Sequence, residues 1–185
     1  RLIAKKHDSD LEIGKVTSKE RESVILTKAA DLGDKLRSLH LTLGVAESCT
    51  GGGLADAITD IAGSSDYFVG GVISYANRVK EQILGVDPEM LATYGAVSEQ
   101  VARAMAEGVR RLLAVDLAVG ITGVAGPGGA TPSKPVGLVY IALASAEGTE
   151  VSRFLWNEDR VGNKQRSIEA ALDILLKRLQ SISSS

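Results

Sequence analysis

Two short apolar runs, each leading straight into glycine, limit what this chain can fold into more than any other feature. LTLGVA (41–46) leads into ESCTGGG (47–53), and DLAVGITG (116–123) leads into VAGPGGATPSKP (124–135). A run that is apolar at every position, rather than at alternate ones, predicts a strand covered on both faces. Such strands need amphipathic segments on either side, and the chain supplies them.

Thr17 and Glu20 fit a capping box, in which each side chain satisfies a backbone donor of the other. Ile25, Ala29, Leu32, Leu36 and Leu39 then step by four and three along an amphipathic helix. LADAITDIA (54–62) predicts a second helix ending at Gly63. YFVGGVISY (67–75) predicts a strand whose Gly-Gly marks a bulge or a close backbone approach. ANRVKEQILG (76–85) predicts a short helix closed by Gly85. Asp87-Pro88 opens another that stops at Gly95. Ser98 caps a longer one with Val101, Met105, Val109 and Leu112 on one face. VGLVYIALAS (136–145) and TEVSRFLW (149–156) predict a hairpin turned by Glu147-Gly148. Ile168, Ala171, Leu172, Leu175 and Leu179 mark a last helix before a frayed SISSS end.

The predicted fold is therefore α/β: a three-layer α/β/α sandwich with a mixed, mostly parallel sheet. Residues 1–16 show no period and read as a tail or arm. Residues 17–185 read as a single domain, a size that suits 185 residues.

Composition narrows the function. The net charge is -2, so there is no basic field for nucleic acid, and 4% aromatic residues offer no stacking platform for single strands. No apolar run approaches a membrane span, and no signal-peptide core is evident. One cysteine, Cys49, allows no intrachain disulfide, and a cytoplasmic setting is expected. Two histidines, His7 and His40, argue against a metal site and against a Ser-His-Asp triad. Neither histidine is assigned a role, and no cofactor is expected.

Candidate chemistry gathers after the strands, where ligands bind in open α/β sheets. In ESCTGGG, Ser48 is either a nucleophile or a helix cap, and Thr50 is its rival for the cap. Cys49 is either a rival nucleophile or a small buried apolar residue. Glu47 would orient a ligand or cap the helix. Thr50, Gly51 and Gly52 would bring backbone close to a ligand. Thr122, Gly123 and Gly126 begin a second loop able to form an anion nest. That loop is not a Walker loop, because it lacks the Gly-Lys-Ser/Thr ending. Tyr75 and Lys80, five apart across a strand-to-helix corner, can face one pocket. With no histidine at hand, a desolvated neutral lysine is the base a serine would need. Arg160, after the last strand, can present its guanidinium to a phosphate.

AESCTGGGLADAITDIAGSSDYFVGGVISYANRVKEQILGVD, YGAVSEQVARAMAEGV and ITGVAGPGGATPSKPVGLVYIAL, taken together, resemble the CinA C-terminal domain family, also known as the nicotinamide mononucleotide deamidases (PncC). The likeness runs from about Leu41 to Leu179. It implies a three-layer α/β/α domain that hydrolyses the carboxamide of nicotinamide mononucleotide, without metal or organic cofactor. It implies Ser48 as nucleophile, Tyr75 and Lys80 assisting it, and matches for Thr122 and Arg160. The small-molecule nucleotide is then the partner, with a homo-oligomer left open. Two positions depart from the pattern. Gly53 stands where the family has a bulky residue, and Lys164 where a second arginine is common. The absence of room for the extra domain of the long family members implies a standalone form. Two other functions are compatible with the residues: a non-catalytic nucleotide-binding module, and a Cys49-dependent amidase acting on free nicotinamide.

Overall fold

The computed structural model describes residues 17–183. The arm expected over 1–16 lies outside the described residues. The capping box forms as predicted: Thr17 N–H donates to Glu20 Oε2 at 2.7 Å, and Glu20 N–H donates to Thr17 Oγ1 at 3.2 Å. Helix α1 (Ser18–Leu39) follows, with Ile25, Ala29, Leu32 and Leu36 buried. Then come β1 (Leu43–Glu47), α2 (Gly53–Thr59), a 3-10 turn (Ser64–Asp66), β2 (Phe68–Ile73), α3 (Asn77–Gln82), α4 (Pro88–Tyr94) and α5 (Glu99–Leu113). The chain closes with β3 (Leu117–Gly123), β4 (Leu138–Ser145), β5 (Gly148–Leu155) and α6 (Arg160–Ser183).

The sheet order is β2-β1-β3-β4-β5. β1 pairs parallel with β2 and β3, while β4 is antiparallel to β3 and β5. The sheet is mixed, and only β4 runs against the others. β1 and β3 are the strands predicted to be covered on both faces, and β1 is buried along its whole length. On one face α1, α2 and α6 bury Leu32, Leu36, Leu54, Leu172 and Leu175 against Val45, Val119 and Ile141. On the other, α4 and α5 bury Leu91, Val101, Met105 and Val109 against Ala46 and Ala118. The α5 backbone lies directly on β3. A Cβ at Gly120 would stand 2.6 Å from the Ala102 carbonyl oxygen, so only glycine permits that approach.

Several details differ from the sequence reading; α2 stops at Thr59, short of the Gly63 end expected for it. Leu112 is 51% exposed, because the buried seam of α5 runs at a spacing of four through Val101, Met105, Val109 and Leu113, and Leu113 rather than Leu112 lies over Gly44 of β1. Ser145 pairs with Gly148, so the hairpin loop is Ala146-Glu147, one residue earlier than expected. α6 begins at Arg160, eight residues before Ile168, with Asp159 Oδ1 accepting from Gly162 N–H at 2.8 Å as its cap. Its far end is helical through Ser183, with Ile182 packed on the core, where fraying was expected. The Gly-Gly of β2 does mark a bulge: Leu43 pairs with Phe68 and Gly44 with Gly70, leaving Val69 as the extra residue.

Topology places the site. From β1 the chain crosses to β2 on one side, then returns past β1 to β3 on the other. The loops leaving β1 and β3 therefore diverge at a switch point, where a crevice opens. Among the described residues, no helix is long and apolar enough to cross a membrane.

Candidate active site

β1 ends in Glu47, and its buried carboxylate settles what that residue does. Glu47 Oε2 accepts from Leu54 N–H at 3.0 Å and Oε1 from Ala55 N–H at 2.9 Å. Of the two roles read for it, capping is the one the structure adopts, because both oxygens close the start of α2. Ser48 N–H continues the sheet by donating to the Ile121 carbonyl at 3.0 Å. Gly51 N–H returns to the Ser48 carbonyl at 3.1 Å, and Gly52 turns the chain with φ 97°. The loop is tied to itself and to the sheet at every turn.

Lys80 projects from α3 into this loop and is fully buried. Its Nζ stands 3.1 Å from Ser48 Oγ and donates at 2.5 Å to the Ser74 carbonyl. That carbonyl is itself set by the sheet, since Ser74 N–H donates to the Glu47 carbonyl at 2.8 Å. Burial pushes the Lys80 ammonium below the ordinary lysine range. In the neutral amine, one N–H stays with Ser74 and the lone pair faces Ser48. The serine hydroxyl can then donate to nitrogen, the arrangement a serine nucleophile needs. The neighbouring Cys49 is in the opposite state. It packs in the core, and burial raises its thiol to about 12, far from the thiolate a nucleophile requires.

A cavity of about 260 Å³ opens over the pair. Ser48, Cys49, Tyr75, Lys80, Thr122, Gly123, Gly126 and Arg160 all line it. Thr50, Gly51 and Gly52 are not among its lining residues. Thr50 Oγ1 is buried without a hydrogen-bond partner. Tyr75 is 63% exposed, and its hydroxyl accepts from Arg160 Nη2 at 3.2 Å. Neither Ser48 nor Lys80 is its hydrogen-bond partner. Arg160 Nη1 donates to the Gly126 carbonyl at 2.6 Å, so one guanidinium bridges the Tyr75 corner and the second glycine loop. Thr122 Oγ1 donates to the Ala96 carbonyl at 2.7 Å, anchoring the α4–α5 turn on the pocket wall. Among the described residues, no three His, Cys, Asp or Glu side chains gather to hold a metal ion.

Both departures from the family pattern have a physical setting. A Cβ at Gly53 would lie 2.6 Å from Ile168 Cδ1, so α6 occupies the space a larger residue would need. Lys164 Nζ stands 3.7 Å from where a Gly51 Cβ would be, over the first loop.

Sequence reasoning missed three contributors. The Ser74 carbonyl is backbone and carries no residue-type signal. Asn77 lines the cavity two residues after Tyr75 and could have been found as the polar residue opening α3. Asn163 is buried on the apolar seam of α6, and a polar residue at that spacing was a readable sign.

The family model for the CinA C-terminal domain matches residues 26–179. A CinA-like protein from Microcystis aeruginosa is 55% identical over 156 residues, 83% of this chain and 37% of the relative. A competence-damage inducible protein from Moorella thermoacetica is 51% identical over 149 residues, 80% of this chain and 36% of the relative. The chain thus spans little more than a third of the length of these curated relatives. Among solved structures, competence/damage inducible protein CihA from Agrobacterium tumefaciens superposes with a TM-score of 0.82 at 38% identity, covering 85% of this chain and 96% of that one. A CinA superfamily protein from Klebsiella pneumoniae also reaches 0.82, at 29% identity, covering 85% and 98%.

Proposed function

The chain belongs to the CinA C-terminal domain family, and on that premise we propose that it hydrolyses the carboxamide of nicotinamide mononucleotide, giving nicotinic acid mononucleotide and ammonia. In this reading Ser48 is the nucleophile and Lys80 the base, residues 17–185 act as one domain, and the reaction recycles pyridine nucleotide in the cytoplasm.

The steps balance with one lysine. Neutral Lys80 takes the Ser48 proton as Oγ bonds to the amide carbon. The resulting oxyanion needs an N–H donor; Gly51 is already engaged and Thr50 and Gly52 do not line the cavity, which leaves the backbone of Cys49, beside Ser48 on the cavity lining. The C–N bond then breaks, and Lys80 returns the proton to the leaving nitrogen. Water, deprotonated by the same amine, attacks the ester, and Ser48 recovers its proton on release of the acid. Arg160 and the loop around Gly126 would hold the phosphate, while Tyr75 would assist by orienting Arg160, the side chain it is hydrogen-bonded to.

The observation that carries this reading is the 3.1 Å contact of a buried, pKa-lowered lysine with Ser48 inside a polar cavity. A cysteine amidase is disfavoured by the buried thiol of Cys49. The test is ammonia release from nicotinamide mononucleotide by the purified chain and by Lys80→Met. Turnover by the first and none by the second is expected. A silent wild type would leave a nucleotide-binding module in its place, and an active Lys80→Met would remove the lysine from the chemistry.

A further inference from the structure

The buried seam of α6 runs at a spacing of four through Leu179, Leu175 and Ala171, and continues into Ser167 and Asn163. Those last two are polar, yet 0% and 1% exposed. A buried amide is costly unless its hydrogen bonds are made. Ser167 is satisfied nearby: its Oγ accepts from Trp156 Nε1 at 3.0 Å and donates to the Asn163 carbonyl at 2.7 Å. The Asn163 side chain instead reaches out of its helix. Its Nδ2 donates to the Ala125 carbonyl at 3.0 Å, and its Oδ1 accepts from Glu158 N–H at 3.2 Å. The next carbonyl of the loop, Gly126, is the one that accepts from Arg160. Two successive carbonyls are thus held by two side chains three residues apart on one helical turn. Ala125 and Gly126 line the cavity, whereas Asn163 is not among its lining residues.

We propose that Asn163 is a positioning residue. Its amide clamps the β3–β4 loop to the first turn of α6, and so fixes where the Arg160 guanidinium meets the pocket. The substrate used to test it rests on the hydrolase reading above; the clamp itself does not.

Asn163→Asp separates a clamp from a polar filler. It keeps the shape and the oxygen that accepts from Glu158 N–H, but puts an oxygen where the donor to Ala125 was. Ionised, that oxygen repels the carbonyl; protonated, it can donate to it. The clamp should therefore become pH-dependent only in the variant. Hydrogen exchange of residues 124–129 and KM for nicotinamide mononucleotide are measured for both full chains, from mildly acid to mildly alkaline pH, as variant-to-wild-type ratios. Both ratios should rise with pH, the KM ratio to about tenfold, as for loss of one buried hydrogen bond, with kcat changed less than about threefold. Exchange in β1 and β4 should match the wild type. A flat exchange ratio, or one rising equally in the sheet, overturns the clamp. A loosened loop with unchanged KM overturns its link to Arg160. Should Asn163→Asp not fold, Asn163→Ala must show the same faster loop exchange, without the pH trend. A wild type that releases no ammonia sinks the hydrolase reading alone, because the exchange measurement still decides the clamp.

Discussion

The two glycine-rich loops sit side by side at the switch point and differ in what fixes the part that faces the cavity. Loop 47–53 is held from within: Glu47 closes α2, Gly51 returns to Ser48, and Ser48 extends the sheet. Loop 124–137 closes on itself farther out, where Thr131 and Lys134 exchange backbone bonds and Gly137 N–H donates to the Val124 carbonyl, but its pocket-lining turn at Ala125 and Gly126 is held from outside, by Asn163 and Arg160 of α6, and Lys134 donates to the Tyr94 carbonyl. Its residues 127–133 are exposed, whereas residues 47–50 are buried. Under the proposed hydrolase reading, the difference separates two tasks. A nucleophile must stay within hydrogen-bond reach of its base, and self-contained bonding gives it that. A loop that shapes the pocket mouth takes its position from neighbours, so distant residues can tune it without touching the chemistry.

Titration should reach the first loop alone and have the largest effect. A base must be neutral, so kcat/KM should fall about tenfold per pH unit below the apparent pKa of Lys80. Because burial lowers that pKa, the fall should begin below the ordinary lysine range. The stability sign follows from the same shift. As pH rises, folded Lys80 loses its proton before the unfolded chain does, so stability from this group grows with pH. Any gain in Tm from Lys80→Met should therefore be greatest at low pH and shrink as pH rises. A rate that climbs as pH drops would contradict the neutral-amine role.

Glu47→Ala is expected to rank next. It removes two bonds from a buried carboxylate and lets Ser48 drift, costing about 100-fold in kcat/KM. Loss of roughly 2 kcal/mol of capping should also lower Tm by about 4–8 °C in a chain of this size. An unchanged Tm would show that the first loop does not depend on its cap. Arg160→Ala strikes the second loop. It should cut kcat/KM for the mononucleotide about tenfold or more, and for the riboside far less, since a charge-assisted bond contributes about 1.5–3 kcal/mol. Equal losses on both substrates would remove the phosphate from its role. Lys134→Ala should be the mildest, under about threefold in KM, as expected for a surface contact. A loss as large as that of Arg160→Ala would mean the second loop is held mainly at its exposed end.

The same contrast explains what the sequence made legible. β1, β3 and the motif after β1 could be read because their signals are local: continuous apolar runs, clustered glycines, a polar residue at a strand end. The Thr17–Glu20 box and the Asp87 and Ser98 caps were local too, and all three form. Leu112 misled because a step of three and a step of four from Val109 fit a helical period equally well, and the seam takes the step of four to Leu113. The start of α6 was missed because Gly162 and Asn163 weaken the apolar period there, although Asn163 is buried for its hydrogen bonds. Lys80 was legible as a candidate by its spacing from Tyr75. Its partner Ser74 was not, since a backbone carbonyl belongs to no residue type.

The central claim is that the self-contained loop carries a serine, not a cysteine, to the substrate. The direct measurement is ammonia release from nicotinamide mononucleotide by Ser48→Ala and Cys49→Ala, each checked for an unchanged fold. Ser48→Ala should be reduced by about 10⁴-fold or more, as for loss of a nucleophile, while Cys49→Ala stays within about tenfold of wild type. The reverse order, an active Ser48→Ala beside an inactive, folded Cys49→Ala, would contradict the account.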